Sequence, residues 1–283
     1  MKRLFLLFII LLSHSLIHAN NVISDYTTEK IESFITYRVV LKSEKDDFVY
    51  EEIKRLEEEA LQNLSENAID FEQEECILKS VYLMEFYEHF LNSSGNQKEL
   101  RDKIKNQMKK NIACIDKRKE SQISDWMYLF TGDITAYYMT RSVAATLLHG
   151  FKLKGFYEKS IKRNPKRSCA YISLGNWCFY APGIVGGGKG KAKKNYESAL
   201  KNAELPGEQY LSYIAISQLN YENKNKKAAE EYLQKAVDLN LGRKDLDLIA
   251  RCNKKGYSYF QYLRNRSGID VEMSEDEKDE DDR

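Results

Sequence analysis

The feature that most limits what this chain can fold into is a spacing that recurs in its second half. Ala192, Tyr196 and Ala199 are separated by four and then three positions, and so are Ala229, Leu233 and Ala236. A third segment, Gly155 to Pro165, closes in the same manner, with Tyr157 and Ser160 ahead of Asn164 and Pro165. Residues at these intervals share one face of a helix. Small residues there let a second helix approach, and the large one fills the gap that is left. Tyr171-x-x-Leu174-Gly175 and Tyr213-x-x-Ile216-Ser217 stand ahead of the second and third segments and read as the partner helices. A chain of 283 residues with 3 prolines and 14 glycines has too few turn formers for a sandwich or barrel. The reading is all-α.

Aromatic-x-x-Leu-Gly on one helix, then Ala, an aromatic and Ala on the next, then Pro, resembles the tetratricopeptide repeat. The match spans about 168–204 and 209–241. It is partial for a third unit, where Tyr157, Ser160 and Pro165 fit the end of the second helix and Trp126-x-x-Leu129 fits the first. Asn220 stands where an aromatic is usual, Leu241 where proline is usual, and the loop Tyr180 to Gly190 is longer than the repeat requires. The resemblance implies helical hairpins stacked into a right-handed superhelix over 122–267, with capping helices at its C-terminal end. The concave face would accept a partner.

An N-terminal helical region, 20–121, precedes these units. Val49, Ile53, Leu56, Ala60 and Leu64 form one apolar stripe, and Leu100, Ile104, Met108, Ile112 and Ile115 form another. Phe71 to Leu91 reads as a buried helix, followed by a turn cluster at Asn92 to Asn96. Ile31 to Leu41 reads as helix, although its Tyr-Arg-Val-Val-Leu run could also extend. Residues 1–19 have the layout of a secretory leader: Lys2 and Arg3, apolar Leu4 to Leu12, and a small Ala19. The expectation is an exported, periplasmic protein; the alternative is an uncleaved N-terminal anchor facing the periplasm. Asp270 to Arg283 carries nine acids against two bases, which predicts a disordered acidic tail over 268–283.

Chemistry-bearing motifs are sparse. Five cysteines form no C-x-x-C pair, so neither a zinc ribbon nor a redox pair is expected. His89 and His149 belong to no metal-binding or catalytic spacing, and no paired-carboxylate site stands out. No metal or cofactor is expected. The stretch Gly150 to Ala203 holds twelve bases and two acids, and its Gly183-x4-Gly188-Lys189 run approaches a phosphate-binding loop. Gly190 takes the place of the Ser or Thr such a loop needs, and a helix precedes it where a strand is required. Two readings remain: an anion-binding loop at Gly186, Gly187, Gly188, Lys189, Lys191 and Lys193, or a purely structural turn stopped by Pro182. Pro-x-x-x-Gly-Gly before a Lys-Ala helix is also similar to the T component of tripartite ATP-independent periplasmic transporters. That resemblance implies an exported oligomer assisting a solute-binding protein.

Together these features predict a non-catalytic binding protein. The expected groove residues are Tyr171, Asn176, Trp177, Tyr180, Tyr213, Ser217 and Asn220. The expected occupant is a protein or peptide partner in the envelope, with a transporter accessory binding a small anionic or hydrophobic ligand as the alternative. Nucleic acid is not an expected partner; peripheral membrane association and homo-oligomerisation stay open.

Overall fold

The computed structural model describes residues 22–42, 44–90, 97–140, 142–266, 268–271 and 273. The expected leader, the turn at Asn92 to Asn96 and most of the acidic tail lie outside the described residues. Regular structure among the described residues is entirely helical. In chain order the helices are α1 (Asp25–Leu41), α2 (Asp46–Gln62), α3 (Leu64–Asn67), α4 (Phe71–Phe90), α5 (Gln97–Asp116), α6 (Asp125–Met139) and α7 (Val143–Arg163). There follow α8 (Ser168–Tyr180), α9 (Lys189–Asn202), α10 (Pro206–Glu222), α11 (Lys226–Asp238), α12 (Arg243–Lys254) and α13 (Tyr259–Arg264). Several begin where a short polar side chain takes a free backbone N–H. Ser24, Ser124, Ser142 and Ser258 do this for α1, α6, α7 and α13. The ambiguous run Ile31 to Leu41 is helical.

Helices pack in consecutive pairs: α6 with α7, α8 with α9, and α10 with α11. The first members also touch one another, α6 against α8 and α8 against α10. A further pair, α4 and α5, leans on α6 in the half of the chain where no repeat spacing is visible.

The small-and-large spacing acts inside the pairs. Gly132 and Gly175 face the rings of Tyr157 and Tyr196 so closely that a Cβ at either position would stand under 3.0 Å from the ring. The Tyr196 hydroxyl donates to Asn176 Oδ1 at 2.8 Å, and the Tyr157 hydroxyl bonds in the same sense to Asp133. In the third pair Ser217 Oγ donates to the Ala229 carbonyl at 2.8 Å. The equivalence of Gly132 with Gly175 corrects one expectation. The first pair is in register at Tyr128-x-x-Thr131-Gly132, two residues later than Trp126-x-x-Leu129. Buried Leu153 takes the place held by Ala192 and Ala229. Trp126 has a different task, lying buried under the Arg167 guanidinium at 3.5 Å.

α1 crosses to the far end of the chain. The Gly207 N–H donates to Thr36 Oγ1 at 3.1 Å, and a Cβ at Gly207 would stand under 3.0 Å from the backbone of Ile35 and Thr36. Val39 is buried with Tyr210, Ile214, Ala236, Leu246 and Ile249. Lys42 pairs with Asp245 at 3.2 Å. At the other terminus the tail boundary moves. Residues 268–271 and 273 are helical, and Ile269 and Met273 are buried with Cys252 and Tyr262. These two apolar residues, four apart, give an otherwise acidic segment one face that packs.

Candidate binding cleft

The trough expected along α6, α8 and α10 is not left open. α1 lies on α10 and α4, and the segment after α12 returns to α8 and α10. The Tyr180 hydroxyl donates to the Phe260 carbonyl at 3.2 Å, and the Phe179 and Phe260 rings are 4.4 Å apart. The Tyr259 N–H donates to Gln218 Oε1 at 2.7 Å, and Ser258 Oγ donates to Glu222 Oε1 at 2.5 Å. Where α1, α4 and α6 meet, a cluster of polar side chains is held between the helices.

Arg38 Nε stands 2.7 Å from Glu85 Oε2; Glu85 is fully buried, whereas Arg38 keeps 27% of its side chain accessible. Glu85 Oε1 also meets His89 Nε2 at 3.1 Å. Burial raises the Glu85 carboxyl, but the Arg38 guanidinium, the His89 hydrogen bond and Lys42 outweigh it and hold it at about 2. The Tyr137 hydroxyl donates to Glu88 Oε2 at 2.9 Å. Burial and the charge of Glu88 keep Tyr137 protonated well above the usual phenol range. Cys169 donates to Glu208 Oε1 at 3.6 Å, and burial pushes its thiol up, so it stays protonated. These groups can bind through charge and hydrogen bonds. None of them forms a nucleophile with an adjacent free base: His89 and Arg38 are both committed to Glu85.

Asp133 sits at the junction of α6, α7 and α8. Burial raises its carboxyl to about 6, although the hydroxyls of Ser173 and Tyr157 pull the other way. Among the described residues no group of three or more His, Cys, Asp or Glu is placed to hold a metal ion.

The sequence-predicted groove residues mostly face other helices. Asn176 accepts from Tyr196 on α9. Trp177 Nε1 donates to the Gly150 carbonyl of α7 at 3.1 Å, with Lys154 Nζ 5.6 Å over its ring. Tyr213 lies against Tyr232 of α11, ring centroids 6.3 Å apart. Ser217 is buried in the α10–α11 contact. Asn220 closes its own turn, donating to the Ile216 carbonyl at 2.9 Å and accepting from Asn225 at 3.4 Å. Tyr180 bonds to the Phe260 carbonyl yet stays 40% exposed, and Tyr171 is half-buried. At 100° per residue, a stripe chosen one position off turns from the trough to the neighbouring helix. Arg38, Glu85 and Glu88 were missed because they come from helices outside the visible repeat, and Tyr137 because it lies on α6 beyond the residues that mark the repeat.

The glycine loop is internally bonded. The N–H groups of Gly186, Gly187 and Gly188 donate to the carbonyls of Gly183, Pro182 and Cys178. Gly186 and Gly188 have φ of 96° and 125°, which only glycine adopts readily. Lys189 Nζ reaches Glu222 Oε2 at 3.0 Å, and Lys191 Nζ reaches the Gly186 carbonyl at 2.9 Å. Lys193 lies 3.8 Å from Glu197. The three glycine donors of the expected anion cradle are therefore already used, which favours the structural reading of the loop. The preceding element is α8, so the strand a phosphate-binding loop follows is not there.

Compared with known proteins, the chain matches no family model, and no curated protein matches it significantly.

Proposed function

We propose that this chain is an exported, non-catalytic binding protein built on tetratricopeptide-like hairpins, which engages a protein or peptide partner in the cell envelope. The observation that carries the reading is the repeated notch: glycine against tyrosine ring, with the hydroxyl taken by the next residue, at Gly132/Tyr157/Asp133 and again at Gly175/Tyr196/Asn176. Repetition of one contact in successive pairs is what a stacked superhelix requires, and such stacks serve as binding surfaces. A second reading is favoured by the way α1 and residues 258–260 narrow the trough. A confined cleft with partly accessible Arg38 suits a small anionic solute, the role of a transport accessory.

The test is reconstitution with a candidate partner purified from the envelope. A defined complex that Tyr171→Ala and Tyr180→Ala weaken at least about tenfold, with melting temperatures kept, supports the first reading. No complex, together with a melting temperature raised by small carboxylates in an Arg38-dependent way, supports the second. Turnover of a bound molecule overturns both.

A further inference from the structure

The first three turns of α7 carry an apolar cluster that no other part of the described chain covers. Leu147, Leu148 and Phe151 are 77%, 72% and 71% exposed. Single exposed leucines are ordinary, but three large side chains at i, i+1 and i+4 make one patch, which marks an interaction surface. The ring of cations around it narrows the partner. Exposed Lys152 follows Phe151 on the same helix. On α5, Arg101 and Lys105 stand 5.8 and 5.9 Å over the Tyr138 ring, and that ring meets His149 at 5.8 Å. The first acid of α7 is Glu158, which pairs with Lys154 at 2.9 Å. The α5 acids nearby are Glu99, paired with Lys103 at 3.0 Å, and exposed Asp102. The bond from Trp177 to Gly150 places the end of α8 beside this patch. The loop that follows α8 raises Ile184, 95% exposed, just before the lysine-rich start of α9.

We propose that this face docks on an anionic phospholipid bilayer. Leu147, Leu148 and Phe151 enter the boundary between headgroups and acyl chains, while Lys152, Arg101 and Lys105 meet lipid phosphates. Side chains exposed beyond 70% stand proud of the surface and do not line a groove, so they fit a deformable layer better than a peptide that needs walls. A second copy would bring one cationic rim against another. No described helix is long and apolar enough to cross a membrane, and the attachment is interfacial. This inference is independent of what the cleft binds.

The experiment uses the full chain, with one tryptophan added at Phe151 (Phe151→Trp) or, as a control, at exposed Ile69 (Ile69→Trp). Native Trp126 and Trp177 are common to both. Each is mixed with phosphatidylglycerol-rich vesicles whose acyl chains are brominated, and with neutral phosphatidylcholine vesicles. Local quenching reads this face even if the apolar N-terminal run also holds the membrane. After subtraction of the quenching that the parent chain's own tryptophans show, the expected result is quenching at 151, none at 69, and loss of the effect on neutral vesicles or at high salt. The triple variant Leu147→Ser/Leu148→Ser/Phe151→Ser, helical by circular dichroism, should bind anionic vesicles about 100-fold more weakly than the parent chain. Equal quenching at both positions, or none at either, overturns the proposal. So does lipid-free self-association that the triple variant abolishes, which would assign the face to a second copy.

Discussion

Asp133→Asn should make the protein more stable at neutral pH, and the size of the gain should depend on pH. Burial raises the Asp133 carboxyl from 3.8 to about 6 in the folded chain. The folded state therefore holds a proton that the unfolded state has already released between those values, and stability falls as pH rises through them. Near pH 4 the unfolded state has lost only part of its proton and the group contributes little; well below 3.8 both states are protonated and it contributes nothing. Above about pH 6 the full penalty applies, roughly two pKa units at about 1.4 kcal/mol each, or about 3 kcal/mol. The chain itself holds the precedent for the replacement: the equivalent residue in the next pair is Asn176, whose carbonyl takes the Tyr196 hydroxyl at 2.8 Å. Urea unfolding of both proteins at about pH 4 and about pH 7 measures the difference. Glu85 and the other titrating groups are common to both and cancel. The expected gain is about 2–3 kcal/mol at the higher pH and close to zero at the lower. A gain equal at both pH values, or a loss at neutral pH, would refute the assignment of a buried, proton-holding carboxyl.

Three further outcomes follow from the packing. Gly175→Ala should cost about 1–3 kcal/mol in unfolding free energy, because its methyl meets the Tyr196 ring, and Tyr196→Leu in the same chain should recover part of that loss. Arg38→Met leaves Glu85 buried without its cation and should cost about 3–5 kcal/mol in urea titration; the double variant Arg38→Met/Glu85→Met should be closer to the parent. Lys189→Ala removes an exposed pair with Glu222 and should change stability by about 0–1 kcal/mol, and neither chain should show a melting shift with ATP or phosphate.

Parts of this architecture are legible in the residues because they repeat locally. Ala192, Tyr196 and Ala199, preceded by Gly175, state their packing within 25 residues. The first pair is harder to read, since Leu153 stands where the others have alanine and Trp126 draws attention two positions from the true register. The α4–α5 pair meets through Cys76 and Ser80 against Gln107 and Asn111, a contact that does not follow the repeat spacing and is visible in the sequence only as apolar stripes. The cleft was the least legible part. Its side chains come from α1, α4 and α6, and residues 258–260 pack on α8 and α10. Pairings such as Gly207 with Thr36 span 171 positions, and nothing in the local pattern of either segment announces the other. The glycine loop shows the opposite failure: its composition suggests an anion cradle, and hydrogen bonds within the loop use up the donors.

The docking of α1 on α10 and α12 also sets an order of events. α1 has part of its resting place on residues 206–246, reached through a contact that spans 171 positions. It cannot reach its final position until that later stretch is available, and closing so long a loop slows the final step. Until then Val39 lacks the residues that bury it, although Phe34 can already meet Tyr82 of α4, and the late hairpins are left with the matching side bare. A chain arranged in this way reaches its finished form only as a whole, and cutting it anywhere between the two ends should leave both fragments incomplete.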